Sequence, residues 1–600
     1  MTVRIEINNT PLEVKKGTTI LDAAKKIGIK IPTLCYFEGL QEPGSCRLCV
    51  VEVEGARTLL PSCVTEVSEG MKVKTNSARV RGARKAVIEL LLNSHPWECN
   101  TCDRNQDCEL QTLAEEYGIR EVRFNTEKPL LSLDKSTPGI VRDPNKCILC
   151  RRCVAVCQEI QNVNTLGPRY RGINTVIGPA QFDLLSEAVC VQCGQCAAVC
   201  PVGAITEKDD IDQVWAVLDD PNKYVVVQTA PAIRAALGEC FDLPPGTLVK
   251  GRMVTALKML GFDQVFDTNF AADLTIIEEG NELLTRLKKK LVDHDENTKL
   301  PMFTSCSPGW INYMEHFYPE LIENISTCKS PQQMFGAIAK TYFAEKTGIK
   351  KEDMVVVSIM PCTAKKFEAS REEMSDSGVQ DVDYVLTTRE LGKMIKQAGI
   401  DFVNLPEGQM DAPLGISTGA ADIFANTGGV MEAALRTAYE VVTGKPLPFT
   451  NLHVTPVQGL EGVKEAALTI TGALPEWNFL EGVTLKVAVV HGLGNARQVI
   501  EALLKGEKEY HFIEVMTCPG GCIGGGGQPR LTSDEVRKAR IQAIYREDEG
   551  RELRKSHDNP AIKQLYAEFL GKPLGEKSHH LLHTHYFDKK NKKESAKAKV

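Results

Sequence analysis

The sequence predicts an α+β multidomain protein: three small cysteine-rich modules followed by one large α/β domain. Two observations predict it. Fifteen of the 21 cysteines fall before position 201, in three separate spacings. From about residue 222 the texture changes. Apolar runs such as Tyr224–Val227, Met354–Ile359 and Leu485–Val490 alternate there with helical stretches, as layered α/β structure requires. The boundaries read 1–79, 80–138, 139–210 and 211–575, with a terminal segment at 576–600. Its last part, 588–600 (DKKNKKESAKAKV), has six lysines and no apolar pattern, and reads as a solvated, mobile tail.

Composition narrows the function. Hydrophobic content of 43% and charge of 25% are ordinary for a globular chain. A formal net charge of -7 argues against nucleic acid as a partner. No run of 18 apolar residues exists, so no membrane span is expected. The opening MTVRIEINNT alternates like a strand, lacks the apolar core of a signal peptide and carries no twin-arginine motif. These features point to the cytoplasm, where closely spaced cysteines favour metals over disulfides.

The first module opens with a hairpin, residues 2–7 and 11–15, and a short helix from Thr19 to Ile27. Cys35, Cys46, Cys49 and Cys63 follow as C-x10-C-x2-C-x13-C. Two close and two distant thiolates suit a 2Fe–2S cluster in a β-grasp ferredoxin, with a loop unlike the plant-type C-x4-C-x2-C. The same ligand set also suits zinc. Residues 79–93 read as a helix. His95, Cys99, Cys102 and Cys108 come next, one imidazole and three thiolates. Zinc accepts this set too, and the flanking modules favour a histidine-ligated 4Fe–4S cluster that is easier to reduce than an all-thiolate one.

The third module is the most specific. Cys147-x2-Cys150-x2-Cys153-x3-Cys157 is repeated as Cys190-x2-Cys193-x2-Cys196-x3-Cys200-Pro201, the two-cluster bacterial ferredoxin run. In that run the fourth cysteine serves the other cluster. Cys147, Cys150, Cys153 and Cys200 are therefore expected at one 4Fe–4S centre, and Cys190, Cys193, Cys196 and Cys157 at the other. Four clusters in a row read as an electron relay.

Six cysteines remain. Cys306 lies in TSCSPGW (304–310), Cys362 in IMPCTAKKFE (359–368), and Cys518 and Cys522 in EVMTCPGGCIGGGGQP (514–529). The glycines after Cys522 let backbone approach a bulky inorganic group, and Met-Pro-Cys sets a thiolate at a strand's C-terminal edge, where α/β sheets bind ligands. Cys240 and Cys328 stand alone and read as buried thiols.

Taken together, these motifs resemble those of the iron-only (FeFe) hydrogenases, over almost the whole chain. The resemblance implies an H-cluster: a 4Fe–4S cubane bridged by a thiolate to a two-iron subsite with CO, CN and a dithiomethylamine bridge. It implies reversible interconversion of two protons and two electrons with dihydrogen. Cys362, Cys518 and Cys522 would ligate the cubane. Pro231, Ser330, Gln332, Met360, Lys365 and Met516 would line the two-iron pocket, with plain packing the commoner role for methionine. One position departs from the family's TSCCPxW motif, in which the first cysteine relays protons and the second ligates the cubane. Here Ser307 stands at the ligand position. Three alternatives follow: Ser307 binds iron through oxygen, Cys306 shifts to become a ligand, or the cubane has three protein thiolates. The family's proton path maps onto Glu279, Glu282, Ser326 and Arg286, ending at Cys306. By spacing alone Glu279, Glu282 and Arg286 equally describe a salt-bridged helix face.

The implied partners are dihydrogen and protons, ferredoxin and/or flavin- and NAD(P)-binding subunits, and maturation proteins. NISTCKSPQQMFGA (324–337) looks like the NAD(P)-linked multisubunit members. A non-catalytic relay subunit like that of respiratory complex I, and a hydrogen sensor with a degenerate site, are the alternative readings. VAVVHGLGNAR (487–497) lacks the third glycine of a dinucleotide site and reads as a structural turn. Thr427-Gly-Gly-Val-Met-Glu reads as a helix start. His579, His580, His583 and His585 read as a packed segment, since no cysteine or carboxylate set accompanies them.

Overall fold

A hairpin begins the chain. Strands Thr2–Ile7 and Thr10–Lys15 pair antiparallel around Asn8 and Asn9, both at positive φ, as a tight hairpin turn requires. The computed structural model describes residues 1–590 except 41–42, 126–127 and 531; the lysine-rich stretch expected as a tail lies outside the described residues from 591 on. Strand Lys72–Lys74 runs parallel beside the first strand, and Val50–Val53 and Leu60–Pro61 extend the sheet. Helix Ile20–Lys26 starts where the Thr19 hydroxyl accepts from the Asp22 N–H, and buries Ile20, Leu21, Ala23 and Ala24 on the sheet. This is the β-grasp arrangement.

Helix Ala78–Asn93 leads onward, capped by Ser77. Its buried Arg84 donates to the Val50 carbonyl at 2.9 Å and ties the helix to the first module. In the third module the sequence repeat becomes a structural one. Arg151 and Gly194, both left-handed, precede matching helices Arg152–Ala155 and Gln195–Val199, and the strand pair Ile140–Arg142 with Ile205–Glu207 closes the module.

The large domain holds two four-stranded sheets. The first orders Gln264–Asp267, Tyr224–Thr229, Met354–Met360 and Tyr384–Thr387, all parallel. The second orders Met302–Phe303, Phe512–Met516, Thr484–His491 and Val463–Thr469, with only the last strand antiparallel. Every residue of Met354–Met360 is buried, which explains its unbroken apolar run. Four strands deliver candidate site residues just past their C-terminal ends: Pro231, Cys306, Cys362 and Cys518. The 24-residue helix Thr268–Leu291 carries Glu278, Glu279, Glu282 and Arg286. Among the described residues, no helix is long and apolar enough to cross a membrane.

The segment after 575 packs on this domain as far as 590. Helix Glu576–Leu582 buries Leu581 and Leu582. The Lys329 N–H donates to the Leu582 carbonyl and the Thr584 N–H to the Thr327 carbonyl, stitching the segment to residues 327–329.

Candidate metal centres and the buried site

The front half gathers its cysteines in the sets that spacing suggests. Cys49 and Cys63 approach to 3.4 Å between sulfurs, and Cys35 pairs with Cys46. One cavity is walled by His95, Cys99, Cys102 and Cys108. The His95 Nδ1 is buried there without a hydrogen-bond partner, and burial holds its pKa down at about 4. A neutral imidazole among three thiols fits a metal centre. A second cavity is walled by Cys147, Cys150, Cys153 and Cys200, and a third by Cys157, Cys190, Cys193 and Cys196. The fourth cysteine of each run therefore crosses to the other set. Burial pushes Cys147 up to about 11 and Cys190 to about 12. Four sulfurs gathered round one cavity fit a cationic iron–sulfur core.

The cavities adjoin one another. A Cβ on Gly203 would stand 2.9 Å from the Cys102 sulfur, so the His95 centre abuts the chain leaving Cys200. The first module's Leu34, Leu48 and Cys46 pack into the same apolar cluster as Cys153 and Cys200. Cys153 and Cys196 lie within charge reach, as do Cys193 and Cys518.

The main cavity lies where the two sheets' strand ends converge. Cys306, Ser307, Cys362, Cys518 and Cys522 line it together with Pro231, Gln332, Met360, Lys365 and Met516. Burial raises the thiols, Cys522 to about 12 and Cys306 well above its ordinary value. Ser307 precedes helix Pro308–Phe317 without capping it through its side chain, and its hydroxyl meets the Thr517 hydroxyl at 2.8 Å. The Lys365 ammonium donates to the Cys306 carbonyl at 3.1 Å and to Glu368 at 2.9 Å.

One expectation is corrected here and another is extended. Ser330 does not line the cavity; its hydroxyl donates to Glu368 at 2.9 Å, behind Lys365. The glycines after Cys522 admit protein backbone as well, while Gly525 still borders the cavity. A Cβ at Gly525 would strike the Pro361 carbonyl, and one at Gly526 the Cys193 carbonyl. The run thus lets the third module dock on the cavity wall, helped by Gln195 Nε2 to the Gly524 carbonyl (3.0 Å) and Thr363 Oγ1 to the Gln192 carbonyl (2.7 Å). Glu368 itself was missed. It accepts from Ser330, Gln332 and Lys365, and the one clue in sequence is its i+3 position after Lys365.

The helix bearing Glu279, Glu282 and Arg286 runs from this cavity to the surface. Arg286 donates to Glu282 Oε1 at 2.6 Å, and the Ser326 hydroxyl to Glu282 Oε2 at 2.8 Å. A surface cavity opens onto Glu282 and Arg286. Glu279 is 2% exposed, and no hydrogen bond of ordinary geometry reaches either oxygen. Burial, reinforced by the Glu282 charge, raises it to about 8. The salt-bridged face expected from spacing holds for Glu282 and Arg286, but not for Glu279.

Other motifs settle into packing. Gly494, in the 487–497 turn, sits against the Glu159 and Ile160 carbonyls of the third module. Residues 427–432 open helix Gly429–Thr443, where Glu514 accepts from Gly428 and Met431.

Comparison with known proteins agrees with this layout. Residues 223–526 match the family described as iron only hydrogenase large subunit, C-terminal domain, and 534–589 match iron hydrogenase small subunit. Residues 1–78 match a 2Fe–2S binding domain, 84–123 the iron–sulfur region of NADH-ubiquinone oxidoreductase G, and 142–204 a 4Fe–4S dicluster domain. The chain is 53% identical to the NADP-reducing hydrogenase subunit HndD of Solidesulfovibrio fructosivorans, covering 97% of this chain and 98% of that one. It is 40% identical to iron hydrogenase 1 of Clostridium pasteurianum, covering 97% and 99%. A structure of apo [FeFe]-hydrogenase HydA1 from Chlamydomonas reinhardtii superposes with a TM-score of 0.57 at 47% identity, covering 64% of this chain and 99% of that one. The protein belongs to the iron-only (FeFe) hydrogenases, with iron–sulfur domains preceding its H-cluster domain.

Proposed function

We propose that the chain interconverts dihydrogen with protons and electrons in the main cavity, and passes the electrons through its front modules to NADP-linked partner subunits. The observation that carries this is the convergence of Cys306, Cys362, Cys518, Cys522 and Lys365 at three strand ends, with Cys193 of the third module close to Cys518. Cys362, Cys518 and Cys522 would hold the cubane, with Ser307 or Cys306 beside its fourth iron. The H-cluster supplies the redox metal chemistry of dihydrogen when bound. The front would hold one 2Fe–2S and three 4Fe–4S clusters on the four cysteine sets.

The chain's own work is positioning and proton movement. Lys365 offers a cation for an anionic ligand, held in place by Glu368. Arg286 and Glu282 take protons from the surface cavity, Ser326 hands them inward, and Glu279 carries them toward Cys306. A carboxyl raised to about 8 both accepts and releases protons near neutrality, as a relay must. The first module and the His95 centre both abut the third module, so they offer two points of access for electrons. Likeness to a subunit named NADP-reducing supports a flavin- and NADP-binding partner; the chain's own front also suits ferredoxin. Cysteines spaced as cluster ligands suit the reducing cytoplasm, where thiols favour metals over disulfides.

The test is infrared spectroscopy with a dihydrogen assay on protein coexpressed with maturation proteins. Iron-bound CO and CN bands with turnover are expected. Ordinary iron–sulfur signals alone would favour a relay subunit, and hydrogen evolution by protein made without maturation proteins would overturn the cofactor assignment.

A further inference from the structure

We propose that Glu282, Cys328 and His583 form a binding site for one thiophilic divalent cation, of which Zn2+ is the type, and that its occupancy stops proton delivery. The blocking effect rests on the proton route proposed above; the site does not. Their ligand atoms all lie within 4.8 Å of one another, and all three residues are buried. The Cys328 sulfur is 3.8 Å from Glu282 Oε2 and 4.0 Å from His583 Nδ1. Zn–S of about 2.3 Å and Zn–N/O of about 2.0 Å in a tetrahedron put neighbouring ligands roughly 3.4–3.6 Å apart. Inward movements of a few tenths of an ångström bring the sulfur to both partners, and Glu282 and His583, up to 4.8 Å apart, close on each other by about an ångström.

A second feature points to a metal independently of those distances. His583 Nε2 lies 3.2 Å from Glu278 Oε2, and that carboxylate also accepts from the Tyr566 hydroxyl and the Leu574 N–H. An oxygen acceptor here places the ring proton on Nε2. The Nδ1 lone pair then faces Cys328 and Glu282. A carboxylate behind the far nitrogen is the support that metal-binding histidines use. The Thr327 hydroxyl, 2.8 Å from Nδ1, would turn aside as the cation enters. The sequence hid this set because its members come from three distant segments.

The surface cavity at Glu282 and Arg286 gives the route in. Binding forms bonds to one sulfur, one nitrogen and one oxygen and releases the Cys328 thiol proton to solvent, with no change in oxidation state. The cation would take the Glu282 Oε2 lone pair that now accepts from Ser326, while Arg286 keeps Oε1. The Glu282–Ser326 link is then broken.

The test uses anaerobic, fully matured enzyme titrated with zinc chloride alone. Zinc K-edge absorption should show a single sulfur at about 2.3 Å with nitrogen or oxygen at about 2.0 Å. Iron content should stay constant and dihydrogen turnover should fall as one zinc binds. Cys328→Ala should keep its zinc-free turnover, lose the sulfur shell and weaken inhibition by more than the about 10–100-fold typical of losing a supporting residue. His583→Gln is an independent check if Cys328→Ala fails to fold. An oxygen-only shell, displaced iron, or equal inhibition of both variants would overturn the site. A sulfur-containing shell with undiminished turnover would leave the site standing and overturn the proton route.

Discussion

Replacing Glu279 by glutamine separates a proton relay from a packing residue, because the two roles predict opposite changes in stability. The side chain is 2% exposed and is met only loosely by the Ser326 hydroxyl and the Ser305 N–H, so a neutral amide of the same shape fits with little rearrangement. Its carboxyl is raised from 4.5 to about 8 by burial and then by the Glu282 charge. The unfolded carboxyl ionises above about pH 4.5, whereas the folded one keeps its proton until about pH 8. The native state therefore loses stability across that interval, and the loss is complete above it. At about 1.4 kcal/mol per tenfold, the gap corresponds to an upper bound of about 5 kcal/mol. Glu279→Gln removes this penalty. Anaerobic thermal unfolding should show the variant gaining on the parent near pH 8.5 and showing no gain near pH 5. Dihydrogen turnover should fall by about 10²–10⁴-fold, the range for loss of a general acid–base group, with cluster content unchanged. Turnover within about twofold of the parent would refute the relay. Turnover lost together with stability at both pH values would mark a structural carboxyl.

Three further outcomes are expected. His95→Ala should delete one 4Fe–4S signal from paramagnetic resonance spectra yet leave dihydrogen uptake with an artificial acceptor intact, since the other modules remain connected. Ser307→Cys adds an anionic thiolate beside the cubane, so in protein made without maturation proteins a resonance-monitored redox titration should show its potential shifting downward; an unmoved potential would place Ser307 off the cubane. Glu368→Ala strands the Lys365 ammonium in a buried pocket, where losing one partner of an ion pair costs about 3–5 kcal/mol. Lower stability on anaerobic unfolding and weakened CO and CN infrared bands are the outcomes to check.

What was legible in the sequence, and what was not, follows from how far apart the cooperating atoms are along the chain. The crossing of Cys157 and Cys200 was readable because each sits four residues past a C-x2-C-x2-C run, and the short helix between holds it in place. The apolar runs of the two sheets were readable because strands buried on both faces carry no polar alternation. Glycine was readable as a close approach, but not what approaches. The run at 524–527 meets the carbonyls of Pro361 and Cys193, and the latter is more than three hundred residues away. That second contact carries functional weight. If those glycines admitted only a cofactor, a side chain added at Gly526 would disturb the main cavity. Since they admit the third module, the same change would push Cys193 and Cys518 apart and leave the cavity's own thiols in place. Gly526→Ala should therefore slow electron exchange between the cavity and the front modules more than it slows dihydrogen/deuterium exchange, which needs no electron to leave the cavity. Freeze-quench resonance spectra of the accessory clusters, set beside an isotope-exchange assay, measure the two rates separately; equal losses in both would return the glycines to the cofactor.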